Sequence, residues 1–166
     1  MLQQVLEYIH NYFIRTAKVD TFEIKNGMVS LPFLQDGQRF WINNSILNNG
    51  VYTYHTLKIE NADGSVTYQA DTIMNDDDTE AAGLQDETFT GTICALAVPP
   101  SVIALSAEIN GWVENYGANA QTPYQSENVI GVYGYTKATG GSGAGGAVTW
   151  QDVYGSRLNR WRRVAF

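Results

Sequence analysis

Asn26-Gly27, Asp36-Gly37, Asn49-Gly50 and Asp63-Gly64 punctuate residues 26–64 of this chain. Asn-Gly and Asp-Gly steps supply the positive-φ positions of tight hairpins, so the chain between them has to run in short legs that fold back on one another. Short returning legs make antiparallel strands, whereas parallel strands need long crossovers. The intervening residues agree. Phe22 and Ile24 alternate into Asn26-Gly27 and Val29, Leu31 and Phe33 alternate out of it, predicting a hairpin over 21–33. The stretch QRFWI predicts a strand after Asp36-Gly37, and Val51 to Glu60 predicts another, with Tyr52 and Tyr54 on one face. Asp63-Gly64 returns the chain into SVTYQA. The acidic segment 71–87 has no periodicity and is expected to be a surface loop, while the apolar run 89–98 predicts a buried strand.

Helical spacing brackets this region. Leu2, Val5, Leu6, Ile9, Tyr12 and Phe13 recur at three and four, predicting a helix over about 2–15. Pro99 and Pro100 stop the preceding strand and suit a helix start, with Ser101 as a cap. Val102, Leu105, Ile109, Trp112 and Tyr116 then make one stripe, and Gly117 fits a C-cap, predicting a second helix over about 101–116. Trp150, Val153, Tyr154, Leu158, Trp161 and Val164 predict a third over about 150–164. Helices segregated from strands imply α+β rather than a parallel α/β sheet. The expected division is a helical part, 1–20 and 99–166, with an extended glycine-rich arm at 122–149, and a β insert at 21–98.

The formal charge of −7 conceals a segregation. Residues 1–58 carry +1, residues 59–127 carry −12 with no basic side chain, and residues 128–166 carry +4. The acidic middle disfavours generic nucleic-acid binding, which rewards clustered Lys and Arg. Opposite patches on one chain suit head-to-tail contacts between copies. No apolar run approaches the ~18 residues that span a bilayer, and the start of the chain lacks the pattern of a secretory signal. A single cysteine, Cys94, forms no internal disulfide, so a cytoplasmic origin is expected.

Motifs for chemistry are poor. Gly141 to Gly146 read as GxGxxG, but AVTW intervenes before any helix, and the chain ends twenty residues past Gly146. Nucleotide binding is therefore rejected and no cofactor is expected. Asp76, Asp77, Asp78 and Glu80 could gather a hard cation, yet Ala81 stands where a calcium loop starting at Asp76 requires glycine. His10 and His55 have no metal-ligand spacing, and Cys94 lies in an apolar strand as a small core residue. Trp41, Tyr52, Tyr54 and Tyr68 raise an alternative reading, a small β-rich module binding carbohydrate or protein, which requires an exposed Trp41. No catalytic residues are expected.

Several segments together carry a resemblance: LEYIHNYF, GQRFWINNSILNNGVYTY, LQDETFTGTICALAVPPSVIALSAEINGWVENYG, YQSENVIGVYGYTK and the closing WQDVYGSRLNRWRR. The chain resembles head-tail connector (adaptor) proteins of tailed bacteriophages. SE followed by GxYxYT and an arginine-rich terminal helix is the most characteristic part. Simple members of that group are almost wholly helical, so the β region resembles a subset with a β insert. The resemblance implies a non-enzymatic ring, commonly of twelve copies, that joins the portal protein to a stopper or tail-completion protein. DNA would pass its channel without sequence-specific binding, and the location would be the virion neck after synthesis in the bacterial host cytoplasm. Another neck component, such as a stopper or tail-completion protein, is the neighbouring reading. Carried onto this chain, the arm on neighbouring subunits would use Tyr124, Glu127, Tyr133, Tyr135 and Lys137. Arg157, Arg160, Trp161, Arg162 and Arg163 would form the portal contact.

Overall fold

Antiparallel pairing organises the computed structural model, which describes residues 1–60, 62–63, 66–120, 126–129, 133–136 and 148–163. The elements run α1 (Leu2–Tyr8), β1 (Ile14–Ile24), β2 (Gln38–Asn43), β3 (Gly50–Glu60), β4 (Val66–Asn75), β5 (Glu87–Leu96), α2 (Pro100–Ala120), β6 (Ser126–Val129), β7 (Tyr133–Thr136) and α3 (Trp150–Leu158). A 3-10 turn, Asn159–Trp161, follows α3. The class is α+β. The contacts divide the chain into two units, Met1–Pro99 and Pro100–Phe166. Residues 1–20, expected to group with 99–166, fall in the first.

In the first unit one sheet has the order β1-β5-β2-β3-β4, every neighbouring pair antiparallel. One face carries Phe22 and Ile24 of β1, Phe40 and Ile42 of β2, Tyr54 of β3, Ile73 of β4, and Phe89, Ile93 and Ala95 of β5. Val29, Leu31, Leu34 and Leu84 from the connections close over that face. Burial of each such side chain stabilises by roughly 1.5–3 kcal/mol. In β5, Ile93, Cys94, Ala95 and Leu96 are all buried, and successive residues point to opposite faces, so both faces are covered there. On the first helix, Leu2, Val5 and Leu6 are buried, and α1 packs against β3.

The expected first helix ends half-way. His10 adopts the left-handed conformation (φ 52°), its N–H reaches the Glu7 carbonyl at 3.1 Å, and the Asn11 N–H reaches the Leu6 carbonyl at 3.1 Å. That is the paired bond pattern of a Schellman stop, made here by a histidine in place of glycine. Asn11 Oδ1 then accepts from the Phe13 N–H, and residues 14–15, expected to end the helix, belong to β1. Long-range pairing with β5 overrides the helical spacing, helped by the β-branched Ile14, Thr16, Val19 and Thr21.

The Asn26-Gly27 turn forms as expected, with φ 52° and 73° and reciprocal Lys25–Met28 hydrogen bonds of 3.0 Å. The return leg does not: residues 29–33 are irregular, and β1 takes β5 as its partner. Val29 and Leu31 are buried all the same, so their alternation reported burial rather than pairing. The expected loop at 71–87 is also shortened at both ends, since β4 runs to Asn75 and β5 starts at Glu87.

In the second unit α2 starts at Pro100 and extends through Gly117, which is therefore inside the helix rather than its cap, and Ser101 lies within its first turn. Val102, Leu105 and Ile109 are buried, with Trp112 edge-on to Tyr154 at 6.5 Å. Thr149 caps α3 through a capping box with Asp152. That helix stops at Leu158, short of the expected 164.

Gly91 of β5 is a backbone constraint in this sheet. A Cβ there would meet the Asn43 carbonyl at 2.5 Å and the Phe89 ring at 2.8 Å. Gly91→Ala is expected to destabilise the protein by about 1–3 kcal/mol, by forcing β2 away from β5. Urea unfolding of the two proteins checks this.

Candidate interaction surfaces

The arginine-rich end divides into residues with different circumstances. Arg157 is engaged within its own unit: its guanidinium grips the Glu108 carboxylate of α2 through two bonds, Nη1 to Oε1 at 2.6 Å and Nη2 to Oε2 at 2.8 Å. It also lies 5.4 Å from the Tyr154 ring. The Arg157 side chain holds the Glu108 carboxyl below its ordinary range, and the pair neutralises itself. Arg160 instead stacks on the Trp161 ring at 3.7 Å and has no ion-pair partner among the described residues. Arg162 and Arg163 are exposed at the end of the 3-10 turn. An open groove of about 520 Å³ runs beside this end, lined from α2 by Ser101, Leu105 and Glu108 and from the C-terminal side by Ser156, Arg160 and Trp161.

The expected arm is in part a hairpin. β6 and β7 pair antiparallel, with Glu127 opposite Tyr135 and Val129 opposite Tyr133. Ser126–Val129 and Tyr133–Thr136 thus lie side by side rather than in one extended line, because the polar backbone of each strand finds its partner in the other. Tyr124 and Lys137 lie outside the described residues. The alternation of Tyr133 and Tyr135, read as an extended arm, marks strand residues without showing that Ser126–Val129 would pair with them.

Sequence reasoning missed the most highly bonded loop. The connection from β2 to β3 is wrapped around the carboxylate of Glu87, the first residue of β5. Glu87 accepts from the Ser45 hydroxyl at 2.6 Å, the Ile46 N–H at 2.9 Å, the Asn48 side-chain amide at 3.0 Å and the Leu47 N–H at 3.3 Å. Asn48 adds an amide pair with the Gln85 backbone, and its own carbonyl accepts from the Tyr52 hydroxyl. The Ser45 hydroxyl leads the interactions that hold the Glu87 carboxyl below its usual range. On this frame Ile46 stands 91 % exposed. The available signal was NNSILNN itself: small polar residues of the kind that bond their own backbone, flanking two apolar ones.

The acidic segment 76–80 is braced from two sides. Asp76 accepts from the Met1 amino group and the Gln3 N–H, both at 3.4 Å. Asp78, at φ 63°, lies 2.7 Å from His55 Nε2, and Asp36 lies 3.1 Å from His55 Nδ1. Burial opposes protonation of His55, but Asp78 and then Asp36 outweigh it, and the pKa is raised. His55 therefore has a defined role, as a clasp between two turns. Asp77 bonds only its neighbour Thr79, and Glu80 has no side-chain partner among the described residues.

Other candidates resolve simply. Cys94 is buried and its thiol pKa is raised by that burial, consistent with a core role. Among the described residues no group of His, Cys, Asp and Glu is arranged to hold a metal ion, and no helix is long and apolar enough to cross a membrane. Trp41 is half-buried, with one ring face stacked on Tyr12 at 4.1 Å and 11° between planes. That contact occupies a surface a sugar ring would need. Comparison with family models, curated proteins and solved structures gives no match.

Two outcomes follow from the bonding. Glu87→Ala should expose the Ile46 and Leu47 amides to hydrogen exchange while β2 and β3 amides keep their protection. In wild type the same bracing should persist above the ordinary carboxylate pKa and fail as pH falls through the lowered folded value. For His55 the direction is opposite. A raised folded pKa means the clasp contributes fully below the unfolded value of about 6.5 and is lost as pH rises through the folded one. Thermal unfolding of wild type and His55→Asn should therefore differ most in mildly acidic buffer and converge at alkaline pH.

Proposed function

We propose that this chain is a structural, non-enzymatic component of a tailed-bacteriophage neck: a head-tail adaptor whose copies form a ring between portal and tail. The observation that carries the reading is the run SENVIGVYGYT followed by the arginine-rich WQDVYGSRLNRWRR, the pattern in which the chain resembles such adaptors. Geometry adds support. The first pattern holds a two-stranded ladder, and the second is a capped helix ending in exposed arginines beside a tryptophan. Arginine and tryptophan are favoured anchors of protein interfaces. The acidic segment lies in one unit and the arginine-rich end in the other, an arrangement suited to head-to-tail assembly.

In this reading Arg160, Arg162 and Arg163 with Trp161 face the portal or a neighbouring copy, whereas Arg157 serves the second unit's own packing. The β6–β7 hairpin is the contact element toward neighbours, and acidic side chains along a channel would keep DNA from adhering. The experiment is native mass spectrometry of the protein mixed with a portal protein from the same genome. A ring of copies on the portal is expected. A protein that stays monomeric in that mixture overturns the reading.

A further inference from the structure

We propose that the braced acidic turn Asp76–Glu80 of one copy docks into the α2/α3 groove of the next copy, with Arg160 receiving a carboxylate from it. This inference rests on the ring reading and names the two surfaces that would meet.

Among the described residues lining the groove, Arg160 is the one uncommitted cation. Arg157 is already neutralised by Glu108, so the lining retains the positive charge of Arg160, whose guanidinium is held flat against the Trp161 ring at 3.7 Å. A stacked guanidinium keeps its in-plane N–H donors available for a carboxylate. The hydroxyls of Ser101 and Ser156 line the same groove, and the first turn of α2 contains no acidic residue. Its helix dipole therefore adds to the positive potential there. The groove is thus suited to an anionic side chain and poorly suited to a basic one.

The turn has the complementary charge and is rigid. Asp76 is tied to the start of α1 and Asp78 to His55, while backbone bonds from the Asn75 N–H to the Glu80 carbonyl (2.9 Å) and from the Asp78 N–H to the Asn75 carbonyl (2.9 Å) close the loop. Asp77 and Glu80 remain exposed, and neither forms an ion pair among the described residues. Bracing lowers the ordering cost of binding, and complementary charge selects the orientation. Because turn and groove are different surfaces, the contact is heterologous and propagates from copy to copy, closing as a ring if the rotation allows.

The test is charge complementation, read by sedimentation velocity over a range of concentrations and salt. Wild type should self-associate more weakly as salt rises. Arg160→Glu and Glu80→Arg should each weaken association roughly tenfold when alone. An equimolar mixture of the two variants should recover it, since each altered surface then meets an opposite charge. Glu23→Arg, an equal charge change on exposed β1, should leave association unchanged, and circular dichroism should show all variants folded. Variants that associate like wild type, a mixture no better than its components, or a wild type that never associates would each overturn this contact. The ring reading falls separately, only if no ring forms on the portal.

Discussion

β5 is hydrogen-bonded along its length to β1 and, over its last residues, to β2, and the first unit depends on that double pairing. It joins residues near the start of the chain to residues some seventy positions later, so its loop-closure cost falls on the whole intervening β2–β4 region. What offsets that cost is burial on both faces of the strand at Ile93, Cys94, Ala95 and Leu96. Gly91 lets β2 come close enough to share the strand, because any side chain there would occupy the space of the Asn43 carbonyl. Where β2 stops, Glu87 takes over as the acceptor for the loop that follows. One strand therefore supplies the core, the sheet order and the support of the most exposed apolar tip.

Charge in this chain is apportioned between internal support and outward display. Glu87, Asp76, Asp78 and Glu108 each spend their carboxylates on named donors within the same unit. Arg157 is likewise consumed locally. Among the described residues, Asp77 and Glu80 on one unit and Arg160 and Arg163 on the other are exposed charges with no ion-pair partner, open to a partner. The surface pairs involved are half exposed, so each contributes modestly to stability, and their greater effect is on geometry.

Local rules were legible where local chemistry decides. Asn26-Gly27 turned the chain as expected, Pro100 began a helix, and Phe40, Ile42, Tyr54 and Ile93, all on expected strands, lie in the core. The candidate site was less legible. The spacing of Arg157 and Arg160 on a C-terminal helix was visible, but not that one would be neutralised by Glu108, forty-nine residues earlier. Ser45 and Asn48 gave no hint that their common partner would be Glu87.

By itself the sequence determined the class of elements, the principal turns, the apolar stripes and the segregation of charge, because these follow from propensities and spacings within a few residues. Tertiary structure alone decided three matters. The first helix stops at Tyr8 because β5 claims residues 14–24 for the sheet, the leg after Asn26-Gly27 loses its strand to that same competitor, and the arginines separate into engaged and available. Each outcome is a competition between partners distant in the chain. Spacing shows which residues want burial or a counter-charge, and only the folded chain settles which partner reaches them.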